Sequence, residues 1–325
     1  MQRRHFLHTL AAGSAAATFP AATAWAAGWP ERPIKVLQGF APGGNADTIA
    51  RVVGGEMAKG LGQPLVVEAV TGAGGTLASA AVARAAPDGH TLLLATGGHA
   101  VAGALYDKLP YQTVTSFQMV STITFFPFLI VTQAENRFRS LAELLTAARA
   151  KPESVAYGSA GVGSTHHLAG ELLSRMAGAN LLHVPYKGDA ASITALLAGD
   201  LPMVIAPPTA VLGHLKAGKL RALAVTGPQR WPGMPEVPTV AEQGVAGYDV
   251  RSWAGWMLPA GTPAAVVERL NAETQKALQV AAVRQRLEEM GGEARGSSAQ
   301  EMTSLVASEL QRWTQVVADA KIPRL

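Results

Sequence analysis

The sequence predicts an α/β protein of two lobes, each a mostly parallel sheet flanked by helices, with a hinged cleft between them. Three observations predict it. Short β-branched runs alternate with helical stretches, the pattern of repeated β-α-β units. An aromatic, β-rich segment at residues 117–132 interrupts the alternation once and reads as a crossover into a second lobe. A stretch dense in Pro and Gly, residues 227–247, then reads as the return linker. A lobe inserted this way has two connections to its host, hence a hinge. The resulting division is 1–26 for a leader, 27–124 with 248–325 for the first lobe, and 125–247 for the second.

The first lobe opens with a buried strand, Ile34–Phe40. A helix over Asp47–Gly60 follows, with Ile49, Val52, Val53 and Met57 at helical spacing. Strands Leu65–Val70 and Leu92–Thr96 flank an Ala-rich helix, Thr76–Ala86. At the crossover, Pro127 separates strands Phe117–Phe126 and Phe128–Thr132. The second lobe pairs helix with strand four times: Leu141–Ala150 with Val155–Ser159, Thr165–Met176 with Leu181–Pro185, Ala190–Ala198 with Met203–Ala206, and Ala210–Ala217 with Leu220–Thr226. Strand Val250–Leu258 re-enters the first lobe, and helical stretches near 263–278, 280–290 and 298–320 close the chain. Trp253 and Trp256 read as core residues close to the lobe interface.

Composition removes several function classes. A chain of 325 residues, 48% hydrophobic and 15% charged, buries enough surface to fold. Zero cysteines exclude disulfides, thiolate metal sites and cysteine nucleophiles. The formal charge is +4, of which Arg3 and Arg4 supply two, and Lys and Arg form no run. A nucleic-acid partner is therefore not expected. No cofactor is expected either. His166 and His167 look like a metal pair, but adjacent helical residues diverge by about 100° and no third ligand is spaced to help. His167 pairs more naturally with Glu171, four residues on.

The first residues read as an export leader. Arg3-Arg4 precede Phe6-Leu7, residues 9–27 carry no charge, and Ala24-Trp25-Ala26 offers small residues for cleavage. This is the pattern of a twin-arginine signal, so the mature protein is expected in the periplasm.

Two glycine-rich loops carry the ligand chemistry, each between a strand and a helix. The first is Ala41-Pro42-Gly43-Gly44 running to Asp47, and the second runs from Ser159 through Gly161 and Gly163 to Ser164 and Thr165. Strand carboxyl ends are where open sheets bind ligands, and helix N-termini favour anions. Neither loop holds Lys or Arg, which suits a carboxylate better than a phosphate. Thr96, at the end of a strand, lines the same crevice. Asp47 has two readings, a group orienting water or a ligand ammonium, and a helix cap. Asp189 likewise either faces the cleft, selecting against a second carboxylate or for an amino group, or caps its helix.

These residues resemble the Bug receptors, solute-binding proteins of the tripartite tricarboxylate transporter group. The likeness is carried by Pro42-Gly43-Gly44 with Asp47 and Ala50-Arg51, Ala86-Pro87-Asp88-Gly89, and Gly158-Ser159 through Glu171. It continues in His183 through Gly188, Ala217 through Ala224, Val237-Pro238-Thr239, and Trp253 through Pro263. The resemblance implies a type II periplasmic binding fold, and capture of a small carboxylate by main-chain amides and ordered water. It also implies a membrane permease as partner, and a monomer is expected. Two places depart from the family pattern: Asp189 stands where a small residue is usual, and Met203 through Pro208 lacks an acidic residue after the strand. A ligand sensor for a signalling protein is the alternative. A hydrolase is disfavoured, because no G-x-S-x-G or H-E-x-x-H is present.

Overall fold

A computed structural model describes residues 28–319 and 321–325, so the expected leader lies outside the described residues. In chain order the first elements are β1 (Ile34–Gln38), α1 (Asn45–Leu61), β2 (Leu65–Ala69), α2 (Thr76–Ala83), β3 (Thr91–Thr96), α3 (Gly98–Leu105) and β4 (Phe117–Pro127). Next come β5 (Leu129–Gln133), α4 (Leu141–Ala150), β6 (Ala156–Ser159), α5 (Thr165–Met176), β7 (Leu182–Pro185), α6 (Asp189–Ala198), β8 (Met203–Ala206), α7 (Pro208–Lys216) and β9 (Leu220–Val225). The chain ends with β10 (Arg251–Pro259), α8 (Ala264–Gln279), α9 (Ala281–Glu289), β11 (Glu293–Ala294) and α10 (Ala299–Asp319). No helix among the described residues is long and apolar enough to cross a membrane.

Two sheets form the lobes, in the orders β11-β4-β10-β3-β1-β2 and β7-β6-β8-β5-β9. Each has a parallel centre, β3-β1-β2 and β7-β6-β8. In the first sheet the short edge strand β11 is antiparallel to β4. The interior strand that runs against the parallel centre is β10 there and β5 in the other sheet, each antiparallel to both neighbours. Both belong to the connections between lobes. The chain leaves the first sheet at Pro127 and enters the second at Leu129, with Phe128 alone between them.

Alternation within strands buries both faces of each sheet. In β3, Leu92 and Leu94 face a core that continues through both lobes, whereas Leu93 and Ala95 face a separate cluster with α2 and α10. In β8, Met203 and Ile205 face the shared core and Val204 and Ala206 the outer one. Burial on both faces explains the continuous apolar runs in the sequence. Trp253 and Trp256 are buried on opposite faces of β10. In α1, Ile49, Val53 and Met57 recur every four residues against the sheet, and Gly62 ends the helix in the left-handed conformation.

A buried polar knot joins the two crossings between the sheets. The Thr226 hydroxyl accepts from the Phe128 amide at 2.8 Å and donates to the Val250 carbonyl at 2.7 Å. Thr226 also bonds through its backbone to Phe128 at 3.0 Å and to Val250 at 2.8 Å. One residue thus ties the outgoing and returning passages together, beyond solvent.

One helix has no counterpart in the sequence reading, which assigned no element to residues 98–105: they form α3. It is buried almost throughout, and tertiary packing overrides the glycine penalty. It carries His99, whose Nδ1 lies 3.0 Å from the Ser79 hydroxyl and whose Nε2 lies 2.8 Å from the Thr113 carbonyl. Burial lowers this imidazole to about 4, against which its bond to Thr113 works only in part. The unfolded chain accepts that proton near pH 6.5 and the fold refuses it until about pH 4, so stability is full above 6.5 and falls through this window. Urea unfolding between pH 7 and 4 is expected to lose up to about 3 kcal/mol through His99. His99→Gln should flatten the curve by that amount, and parallel curves for the two proteins would contradict the assignment.

Candidate functional site

The first glycine loop is held by its own side chains. Gln38 accepts from the Phe40 amide at 2.8 Å and donates back to its carbonyl at 2.9 Å. Gly43 takes a positive φ of 76°, which turns the chain into α1. Its amide donates to Asp47 at 3.1 Å, and Arg51 grips the same carboxylate at 2.8 and 3.1 Å. Burial alone would raise Asp47, but Arg51 and the Gly43 amide bring it below the usual carboxylate value. Asp47 is therefore a clasp inside the loop; Gly44, not Asp47, is the cap of α1, and Asp47 is not among the residues that line the cavity between the lobes.

The second loop spends its hydroxyls on itself. Ser159 lies 2.7 Å from His183 Nε2 and accepts from the Gly161 amide at 3.1 Å. Ser164 caps α5 by accepting from the His167 amide at 3.3 Å, and it donates to the Gly161 carbonyl at 2.6 Å. Gly163 presses on the first lobe: a Cβ on Gly74 would stand 2.9 Å from its carbonyl carbon.

Between the lobes lies a cavity of about 420 Å³. The first loop lines it through Ala41, Pro42, Gly43 and Gly44, with Thr96 and Ser252 beside them. The second lobe contributes Thr165 and His166, Gly188 and Asp189, and Pro207 and Thr209. These are the first turns of α1, α5, α6 and α7. The opening amides of the first three have no acceptor within their own helices. By contrast, α7 begins at Pro207-Pro208, which lack N–H groups, and its Ala210 amide donates to the Pro207 carbonyl, leaving the Thr209 amide. Neither α1, α6 nor α7 has a side-chain cap. Four positive dipole ends therefore meet at one space, and none of the described residues lining it is Lys or Arg. The lobes touch across it, where Thr209 donates to Asn45 Oδ1 at 3.2 Å.

Of the residues expected at the site, Ala41, Pro42, Gly43, Gly44, Thr96, Thr165 and Asp189 line the cavity. Ser159, Gly161, Gly163 and Ser164 stand behind it, because their loop packs against the opposite lobe and bonds internally. Asp189 is the first residue of α6 and Gly188 is its cap, so the capping reading does not hold. The sequence reading missed Asn45, His166, Ser252, Thr209 and His214. Pro207-Pro208 carried a usable signal for Thr209, since Pro favours the first helical position.

Asp189 and His166 are facing titratable groups of this cavity, with Oδ1 and Nε2 3.3 Å apart. Burial raises Asp189 against the pull of His166, and burial lowers His166 against the pull of Asp189. Both are thus biased toward their neutral forms. His167 points elsewhere, stacking on His183 at 4.1 Å between centroids, and burial lowers it to about 4 and His183 to about 3.

With this geometry in view, the comparisons with known proteins are decisive. The model of the tripartite tricarboxylate transporter family receptor matches residues 49–322. The chain belongs to that family. A Pseudomonas sp. relative, the UPF0065 protein in the tcbD-tcbE intergenic region, is 39% identical to this receptor, over 90% of this chain and 88% of that protein. Protein BugT of Bordetella pertussis is 35% identical, over 90% of each chain. Among solved structures, an R. palustris protein with adipate superimposes with a TM-score of 0.87 at 35% identity, covering 91% of this receptor and all of that chain. MatC from Rhodopseudomonas palustris, with bound malate, gives 0.84 at 35% identity, covering 89% and 100%. The periplasmic binding protein BugD gives 0.86 at 31% identity, covering 91% and 100%. The two-lobed binding-protein fold implied by the sequence resemblance is the one these structures share.

The clasp reading of Asp47 separates stability from contact. Asp47→Ala is expected to lower the receptor's unfolding free energy by about 1 kcal/mol, the loss of the buried carboxylate's bonds to the Gly43 amide and to Arg51, both of which solvent can reach. A thermal melt measures it, and an unchanged melting temperature would contradict it.

Proposed function

We propose that this receptor captures a small carboxylate-bearing molecule between its lobes in the periplasm and presents it, closed, to a membrane permease. One observation carries the reading: four helix N-termini from two lobes converge on one cavity whose described lining holds no cationic side chain. Backbone amides and dipole ends hold an anion without a lysine or arginine, and a carboxylate needs fewer donors than a phosphate. Ala41, Pro42, Gly43 and Gly44 supply the first lobe's surface, and Thr96, Thr165, Ser252 and Thr209 supply hydroxyl donors. Because the ligand touches both lobes, its binding favours the closed state, with the motion taken up at the Thr226 knot. Nothing in this cycle requires a chemical step on the ligand. The adipate and malate carried by the two structural neighbours support the ligand class, and the family's description supports the permease. The periplasmic naming of BugD supports the compartment, together with the leader expected at residues 1–26.

A thermal-shift screen of malate, adipate, citrate and glutamate tests the reading, alongside native mass spectrometry of protein purified from the periplasm. A ligand at 100 times its Kd is expected to stabilise the receptor by about 2.7 kcal/mol. A flat response to every acid, with no co-purified acid, would overturn it.

Asp189 is proposed to set the ligand's charge, either repelling a second carboxylate or accepting a ligand ammonium. Asp189→Asn is then expected to change the ratio of dicarboxylate to amino-acid affinity by about fivefold or more, equivalent to roughly 1 kcal/mol at the cavity wall. Calorimetric titration of both ligand types reads the ratio, and an unaltered ratio removes Asp189 from the selectivity mechanism.

A further inference from the structure

The cavity does not stop at the helix N-termini. It continues along α6, where Asp189, Ile193 and Leu197 line it at intervals of four residues and therefore on one face. That face runs about 12 Å at 1.5 Å per residue. Opposite it, Ala210 and His214 line the cavity from one face of α7, a helix packed against α6. The two helices thus make the walls of a slot, polar at their N-termini and apolar beyond. Ile193 is buried, and Leu197 and Ala210 are partly buried, packed against the outer core of the second lobe. Thr194 is exposed, so the slot opens to solvent on that side.

We propose that the ligand is a monocarboxylate with an apolar tail, its acid group at the helix N-termini and its tail laid between α6 and α7. The proposal rests on the carboxylate reading and deepens it. The titratable groups lining the cavity are His166, Asp189 and His214. A second carboxylate on the tail would lie beside Ile193, Leu197 and Ala210 with no lysine or arginine among the lining residues to meet it. It would keep water only on the side open at Thr194, with His214 as the one titratable group on that stretch, and would lose hydration against the apolar walls. A hydrocarbon tail loses nothing there and gains by leaving water. Compact polyacids would leave the slot filled only with water.

Calorimetric titration with butyrate, hexanoate and octanoate, against succinate and malate and against the amides of the three monoacids, decides the matter. Affinity is expected to rise about fourfold per methylene from butyrate to octanoate, and the amides are expected to bind more weakly than their acids. Ala210→Leu, which fills the slot from a partly buried position, should cancel the gain with chain length, so that octanoate binds no tighter than butyrate. Leu197→Ser, at the slot's far end, should reduce the octanoate affinity more than the hexanoate affinity. Equal affinity across the series, or tighter binding of succinate and malate than of octanoate, would overturn the apolar tail and leave the carboxylate reading intact. Amides that bind as well as acids would overturn the carboxylate reading instead. A length effect untouched by both substitutions would overturn the placement of the tail between α6 and α7.

Discussion

The chain crosses between its lobes twice, and the geometry of everything else depends on how those crossings are held together. Thr226 binds the outgoing passage at Phe128 and the returning one at Val250, through both its hydroxyl and its backbone. A buried hydroxyl satisfied on both sides tolerates little displacement, because an unpaired donor there would lose its water without replacement. The two passages are consequently held as one unit. On either side of it, β5 and β10 run against the direction of the strands next to them, which turns the carboxyl ends of both parallel centres toward the same space. The helices that follow those strands begin there. The convergence of α1, α5, α6 and α7 is thus a consequence of topology, and the anion-binding character of the cleft follows from it without any cationic residue.

The two glycine loops divide the work unequally. Both begin at a strand end and lead into a helix, but only the first presents its turn to the cavity. The second is drawn toward the turn at Ala73–Gly75 of the opposite lobe and is fastened from behind by Ser159, His183 and Ser164. It positions α5, whose first residues reach the cavity as Thr165 and His166. A loop that supports the lobe contact and a loop that receives the ligand need the same residue types. Both require close backbone approach, which glycine alone permits.

Charge in the cavity is governed by burial. Asp189 and His166 sit within reach of each other, yet desolvation pushes each toward neutrality. Desolvation thus weakens, without removing, the charge that Asp189 presents to an incoming ligand. Asp47 shows the opposite outcome in the same loop system, because Arg51 and an amide compensate its burial and keep it ionised. Two aspartates near helix starts, alike in sequence, therefore serve different ends through their neighbours.

Much of the fold was legible in the sequence. The alternation of β-branched runs and helical faces placed nearly every strand and helix, because two-sided burial leaves a continuous apolar signature. The crossover was legible too, since Pro127 breaks one strand from the next. The first loop, Thr96, Thr165 and Asp189 followed from local grammar, a strand end with glycines before a helix. Other features required the folded molecule. Residues 98–105 gave no helix signal behind Gly97-Gly98, and their helix is held by burial on nearly every side. Whether Ser159 and Gly163 face a ligand or the other lobe depends on contacts more than 80 residues apart in the chain, such as Gly74 with Gly163. The slot between α6 and α7, and the roles of Thr209, Ser252 and His214, arise where separate elements meet. Local sequence determines which backbone each segment prefers; what each segment faces is decided by the partners that the tertiary fold brings to it.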